Sequence, residues 1–303
     1  MASLYTHKSA NIRKTWLLMA AFFVVVIAIG WVIAQAYGDP SILYIAVAFS
    51  VFMNVAAYWW SDKLVLSMTR AKPVSRESAR ELYNVVENLC ITAGLPTPKI
   101  YIVDEPAPNA FATGRNPEHA VVAVTTGLLQ RLNKSELEGV LAHELSHIGN
   151  RDMLISTAAV VLAGFISILS DFFLRSMFYR RRGRGGEGAG IFVLIGLVLA
   201  ILAPIAAMLM RLAISRKREL LADASGALLT RYPEGLASAL IKISHDPTPL
   251  PVATNTTAHL FFDDPFDHEG LPKQRLSWLH KLFMTHPPVE ERVKALRGMN
   301  IRE

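Results

Sequence analysis

Four long apolar segments constrain the fold of this chain more than any other feature of its sequence. They cover residues 15–37, 41–60, 153–174 and 191–214. Each segment, as a helix, is long enough to cross the roughly 30 Å of hydrocarbon in a bilayer. The 303 residues are 52% hydrophobic and only 18% charged, which is unusual for a water-soluble domain. We therefore predict an α-helical membrane protein with four apolar helices.

The apolar segments divide the chain into alternating membrane and soluble parts. Residues 1–60 are predicted to form an N-terminal membrane hairpin, and residues 153–214 a second hairpin. Residues 61–152 and 215–303 are then the two parts of one mainly helical α+β domain that lies outside the bilayer.

Basic residues near the ends of the first hairpin predict its orientation. They are Lys8, Arg13, Lys14, Lys63, Arg70 and Lys72. Because positive charge is retained on the cytoplasmic side, both ends of this hairpin are expected in the cytoplasm. The second hairpin conflicts with the same rule, since its linker carries Arg175 and further arginines at 180–184. It either spans the bilayer against the charge bias or is re-entrant or poorly inserted.

The same basic residues indicate a lipid partner. They cluster beside apolar segments and are not interleaved with aromatic side chains, so we expect contact with lipid headgroups and no binding of nucleic acid.

The motif His143-Glu144-x-x-His147 predicts a metal site. On a helix, the two imidazoles lie about 40° apart around the axis and can reach one ion, while Glu144 can hydrogen-bond a water molecule as a general base. Ser135 and Glu138 have the spacing of a capping box, which favours a helix here. The motif also arises by chance, so a third ligand is needed.

Glu219 and Asp223 lie four residues apart on one predicted helical face. Glu219 can supply the third ligand of a zinc ion, and Asp223 can accept the free N–H of a liganding imidazole. The alternative is a solvated acidic pair beside Arg216 and Arg218.

Two strands are predicted ahead of the metal-binding helix, at Lys99–Val103 and His119–Val124. Such strands can offer an exposed edge on which an extended peptide adds as a further strand. The alternative is an ordinary hairpin packed against the helices.

Four ordered motifs resemble those of the HtpX-like integral-membrane zinc metallopeptidases, relatives of the CAAX prenyl endopeptidases. They are His143-Glu144-x-x-His147, Arg218-Glu219-x-x-Ala222-Asp223-x-x-Gly226-Ala227, Asn109-Ala110-Phe111-Ala112 and Thr285-His286-Pro287-Pro288. The resemblance covers nearly the whole chain. It implies a gluzincin-like zinc metalloprotease that removes misfolded or damaged membrane proteins at the cytosolic face of a prokaryotic inner membrane.

The resemblance also implies roles for individual residues. One zinc ion per chain would be held by His143, His147 and Glu219, with Glu144 as the base. Asp223 would orient a ligand histidine, and His286 would stabilise the tetrahedral oxyanion. The segment formed by Asn109, Ala110, Phe111 and Ala112 would bind the substrate. For His286, the alternative is that its segment only starts the last helix.

Three other functions fit some of the same residues. A prenyl-protein processing endopeptidase would share the metal site and differ in its cavity and substrate. An intramembrane-cleaving protease would place the motif inside a span, which Glu136, Arg151 and Asp152 make costly. A catalytically silent zinc-binding scaffold would have no use for Glu144 beside its metal.

Overall fold

The computed structural model of the chain describes residues 4–180, 216–253, 257, 260–262 and 287–299, with side chains described from residue 9 and not at 36–37 or 167–180. The helices of these residues are α1 (Leu4–Tyr37), α2 (Ser41–Trp59), α3 (Ser61–Met68), α4 (Arg80–Ala93), α5 (Thr126–Arg131), α6 (Lys134–Asn150), α7 (Asp152–Arg180), α8 (Arg216–Thr230), α9 (Pro233–Ser244) and α10 (Val289–Arg297). The strands are β1 (Lys72–Pro73), β2 (Lys99–Val103), β3 (Ala110–Thr113) and β4 (Val121–Thr125).

The first two helices are long and apolar enough to cross a membrane. The apolar part of α1 runs over Ser9–Gln35 with a mean hydropathy of 2.8, and that of α2 over Ser41–Trp59 with a mean hydropathy of 1.8. Within an apolar window of 18 residues in each stretch, only 28% and 22% of the residues are buried within the protein. Large apolar side chains, among them Trp16, Trp31 and Phe52, therefore face outward, as lipid contact requires.

The predicted number of four apolar helices is not established. The third apolar segment lies within α7, whose first fifteen residues, Asp152–Ile166, form a shorter apolar helix over the part with described side chains. The fourth segment, residues 191–214, lies outside the described residues. Two membrane-capable helices are therefore present in the described part of the chain.

Helix α7 connects α6, which carries the His143-Glu144-x-x-His147 motif, to the apolar helices α1 and α2. Its side chains Ile155 and Leu162 pack in one buried cluster with Leu18 and Phe22 of α1 and Met53 of α2. Because α7 begins two residues after the end of α6, this packing holds one end of α6 against the membrane helices.

A four-stranded sheet with the order β1-β2-β4-β3 shares a buried apolar cluster with α6. Strand β2 covers the predicted residues Lys99–Val103 and runs parallel to β4, while β3 is antiparallel to β4 and forms one edge. The second strand was predicted at His119–Val124 and instead starts at Val121. The Asn116 side chain accepts a hydrogen bond from the backbone N–H of His119, which stabilises a short 3₁₀ turn before the strand.

Helix α6 begins earlier than its predicted capping box. Asn133 Oδ1 accepts from the backbone N–H of Glu136 at 3.0 Å, and Glu136 accepts from the N–H of Asn133 at 2.9 Å. The prediction of Ser135 and Glu138 as the capping pair is wrong, because Ser135 already lies inside the first turn and donates to Asn133 Oδ1. The helix ends at Asn150, and the next residue, Arg151, has a left-handed φ of 57° that turns the chain into α7.

Candidate metal centre

His143, His147 and Glu219 come together between α6 and α8. Nε2 of His143 lies 3.1 Å from Nε2 of His147 and 3.7 Å from Oε2 of Glu219. Nε2 of His147 lies 3.6 Å from Oε1 of Glu219. Two helices that are distant in sequence thus bring three possible ligand atoms to within 4.8 Å of one another.

The spacing and chemistry of these three groups fit a zinc ion. Tetrahedral coordination at about 2.0–2.2 Å separates neighbouring ligand atoms by about 3.3–3.6 Å. The observed separations of 3.1 to 3.7 Å bracket that range. Two imidazole nitrogens and one carboxylate are also a donor set found at catalytic zinc sites, where a fourth position stays open.

Gly226 allows α8 to approach α6 closely enough for Glu219 to reach the histidines. A Cβ atom at Gly226 would lie 2.9 Å from the backbone nitrogen of His143, closer than a side chain tolerates. Glu219, Asp223 and Gly226 are spaced by four and three residues, so they share one face of α8. The close helix contact and the two acidic side chains therefore point at the same part of α6.

Asp223 holds the first histidine. Its Oδ1 atom lies 2.9 Å from Nδ1 of His143, which leaves Nε2 of the ring facing the other two ligands. Arg292 of α10 donates to both oxygens of Asp223, at 2.7 and 2.8 Å, and its side chain is completely buried. Burial would raise the pKa of Asp223, but the Arg292 guanidinium and its hydrogen bonds lower it to about 2. Asp223 is therefore ionised at neutral pH.

Asp152 holds the second histidine in the same way, a contact that the sequence analysis did not predict. Its Oδ2 atom lies 3.1 Å from Nδ1 of His147. The aspartate is the first residue of α7, beyond the left-handed turn at Arg151, so no helical spacing relates it to His147. The residue types alone offered one weak signal, which is an acidic residue shortly after the motif.

The charge balance of the cluster favours a bound cation. Burial would lower the pKa of His147, but the carboxylates of Glu219, Asp152 and Glu144 outweigh it and raise that pKa to about 9. Without a metal, the imidazole therefore takes up a proton at neutral pH. A divalent cation provides the same compensating charge and replaces that proton.

Glu144 is on α6 next to the first ligand histidine. Its side chain is buried, and it is close enough for its charge to act on His147. Glu144 is not one of the three grouped ligand residues. His286, to which the sequence resemblance assigned oxyanion stabilisation, lies outside the described residues.

The predicted substrate segment, Asn109–Ala112, includes most of the edge strand β3. The backbone N–H of Thr125 donates to the carbonyl of Asn109, so the backbone groups of Ala110 and Ala112 point away from β4. The edge is buried and is covered in part, because the N–H of Phe262 donates to the Ala110 carbonyl at 2.8 Å. Ala112 is the next residue along β3 whose backbone groups point away from β4.

Comparison with known proteins agrees with the motifs. Residues 76–300 match Peptidase family M48. Protease HtpX homologs from Caldanaerobacter subterraneus subsp. tengcongensis and Thermoanaerobacter pseudethanolicus are 44% and 45% identical over 306 residues, which cover 99% of this chain and 99% of each relative. The homolog from Pelotomaculum thermopropionicum is 47% identical, over 96% of this chain and all of its own length.

A solved structure shares the fold. The crystal structure of Ste24p from S. mikatae superposes with a TM-score of 0.50 at 21% identity, covering 96% of this chain and 67% of that one. At that identity, the likeness concerns the fold alone. The family resemblance and the predicted metalloprotease activity are confirmed by the family match and the protease relatives. The chain belongs to peptidase family M48, whose members are zinc metalloproteases.

Proposed function

We propose that this metalloprotease hydrolyses peptide bonds of misfolded or damaged membrane proteins at the cytosolic face of a bacterial inner membrane. The observation that carries the proposal is the place of the donor cluster in the fold. His147 contacts Asp152, where the apolar helix α7 begins, and Asp152 contacts Asn11 near the start of α1. In the proposed arrangement, a metal site held by the ends of apolar helices would meet a polypeptide where it leaves the bilayer.

Each residue near the cluster has a distinct part in the proposed chemistry. His143, His147 and Glu219 would hold the zinc ion, which when bound would supply a Lewis acid that polarises the scissile carbonyl and makes water more acidic. Glu144 takes the proton of the attacking water and passes it to the leaving amine. Asp223 orients His143 through its Nδ1 atom, so that the Nε2 lone pair stays directed at the cluster.

The edge of β3 is proposed to bind the substrate as an added strand. Ala110, Phe111 and Ala112 of β3 pack beside α6, and Asn109 directly precedes the strand. The backbone groups of Ala112 point away from β4. Pairing through backbone groups depends little on side-chain identity, which suits a protease that acts on many unfolded chains. The carbonyl of Ala110 is already paired with Phe262, so we place the first substrate contact at Ala112.

Substitution of the base tests the proposal. We expect Glu144→Gln to retain zinc and to lose about 10²- to 10⁴-fold in cleavage of an unfolded membrane protein, because general base catalysis is removed. The full-length protein is purified in detergent, and zinc content and cleavage are measured together. Glu138→Gln, which removes a partly exposed carboxylate on the same helix, is the matched control and should cleave normally. Equal cleavage by Glu144→Gln and wild type would refute the role of Glu144.

The same assay separates the alternatives. Cleavage of a prenylated CAAX peptide without cleavage of the unfolded membrane protein would indicate a processing endopeptidase. Zinc at one ion per chain with no cleavage of either substrate would indicate a silent scaffold. Absence of zinc from the purified wild type would contradict the proposed metal centre itself.

A further inference from the structure

Asn11, on the first membrane helix, contacts the junction that follows the metal-binding helix. Its Nδ2 atom donates to Oδ1 of Asp152 at 2.5 Å and to the carbonyl of Asn150 at 3.1 Å. Asn11 and Asp152 are 4% and 3% exposed, although 141 residues separate them in sequence. A buried amide in α1 therefore bridges the last residue of α6 and the first residue of α7.

The hydrogen bonds of this amide fix its orientation. Both partners are oxygen acceptors, and only the NH₂ group of an asparagine can donate to two of them. The two contacts lie on either side of Arg151, the residue whose φ of 57° turns the chain between the helices. Asn11 thus restrains the backbone of the turn and the carboxylate that follows it.

The restrained carboxylate is the one that contacts a metal-ligand histidine. Oδ1 of Asp152 accepts from Asn11, and Oδ2 of the same group lies 3.1 Å from Nδ1 of His147. With one oxygen held by α1, the plane of the carboxylate is fixed, and so is the direction in which it holds the imidazole. Nε of Arg218 is farther from this carboxylate, at 3.7 Å from Oδ1.

We propose that Asn11 is a positioning residue of the metal centre, acting on His147 through Asp152. The inference rests on the proposed role of His147 as a zinc ligand. It means that the N-terminal membrane helix helps to build the metal site in addition to anchoring the protein. Removal of the amide should weaken zinc binding without removing any ligand.

Zinc affinity and ligand geometry in full-length variants test this role. The dissociation constant for Zn²⁺ is measured by competition with a chelator, and the visible absorption of the Co²⁺-substituted protein reports the ligand geometry. We expect Asn11→Leu, which keeps the volume and removes both donors, to weaken zinc binding about tenfold, the lower end of the range for outer partners of metal ligands. The cobalt spectrum should change as well.

Thr15→Val is the matched control. Thr15 is buried one turn further along α1, and its hydroxyl donates a hydrogen bond to the backbone carbonyl of Asn11. This variant should bind zinc as wild type does and give the same cobalt spectrum.

A double-substitution cycle shows whether Asn11 acts through Asp152. In an Asp152→Ala background, Asn11→Leu should cause no further loss of zinc affinity. Wild-type affinity and spectrum in Asn11→Leu would overturn the proposal, as would an equal loss in both backgrounds. If Asn11→Leu does not give a monodisperse protein, Asn11→Ala, which removes both donors without adding a charge, takes its place with the same outcomes.

One further variant separates this proposal from the function on which it rests. His147→Ala should reduce zinc affinity far more than Asn11→Leu. If His147→Ala binds zinc as wild type does, the proposed metal centre is wrong. If His147→Ala loses zinc and Asn11→Leu does not, only the role of Asn11 is wrong.

Discussion

The two histidines of the cluster are held in the same way by very different parts of the molecule. Each has its Nδ1 atom about 3 Å from an aspartate oxygen, at 2.9 Å for His143 and 3.1 Å for His147. Asp223, beside His143, is clamped by two hydrogen bonds from the buried guanidinium of Arg292. Asp152, beside His147, receives its short hydrogen bond from a neutral amide on a membrane helix.

The difference separates two tasks within one metal centre. The Asp223 side is a buried ion pair that connects α8 with α10, so it contributes to the stability of the domain as well as to the site. The Asp152 side lies at a turn between the metal-binding helix and the membrane helices. It links ligand geometry to the way the protein sits in the bilayer.

Removal of the guanidinium should have the largest effect. Arg292→Met leaves the Asp223 carboxylate buried without its main partner, and loss of one member of a buried ion pair costs about 3–5 kcal/mol. We expect a marked fall in the thermal midpoint of the detergent-solubilised protein. Arg297→Met, on the same helix, breaks an exposed pair with Glu234 and should leave the midpoint unchanged. Equal midpoints in the two variants would contradict the structural importance of the buried pair.

Neutralising the second aspartate should affect the metal more than the fold. Asp152→Asn removes the carboxylate that holds His147, and we expect zinc affinity to fall about 10- to 100-fold, as for other partners of metal-ligand histidines. The thermal midpoint should fall less than in Arg292→Met. Asp104→Asn, at an exposed aspartate, serves as the control. Unchanged zinc affinity in chelator competition would show that His147 needs no such partner.

The smallest effect concerns the pH dependence of the metal-free protein. The pKa of His147 is raised from 6.5 to about 9 in the folded chain, so its protonation stabilises the metal-free fold. This stabilisation is complete below pH 6.5 and is lost as the pH rises through 9. We expect the thermal midpoint of the chelator-treated protein to decrease as the pH is raised from 6.5 to 9. In His147→Gln, this decrease should be smaller. The same decrease of the thermal midpoint with pH in both proteins would show that a group other than His147 causes it.

The sequence predicted the residues that form the donor cluster, but it did not predict all of the residues that hold them in place. His143, Glu144 and His147 follow from helical spacing, and Glu219 and Asp223 share a face for the same reason. Asp152 could not be found in this way, because the left-handed turn at Arg151 interrupts the helical spacing. Asn11 lies 141 residues from its partner, a distance over which no local pattern carries information.

The errors in the predicted boundaries of helix α6 and strand β4 also have local causes. Ser135 with Glu138 and Asn133 with Glu136 have the same spacing, and only the true start of the helix distinguishes the two capping pairs. The start of β4 moved by two residues from the prediction, because Asn116 stabilises a turn that residue propensities do not reveal. The two long apolar helices α1 and α2 were predictable, since an apolar segment of that length has few other stable environments.

Because Gly226 has no side chain, α8 can lie close to α6, and this contact determines the distance between Glu219 and the two histidines. Glu219 lies seven residues from this contact, about 10 Å along the helix axis. A rotation of α8 by only about 6° around Gly226 would therefore displace the carboxylate by about 1 Å, enough to lower a catalytic rate about 10²-fold. The contact at Gly226 thus determines the relative orientation of the two helices. A single methyl group there would change the distances between Glu219 and both histidines.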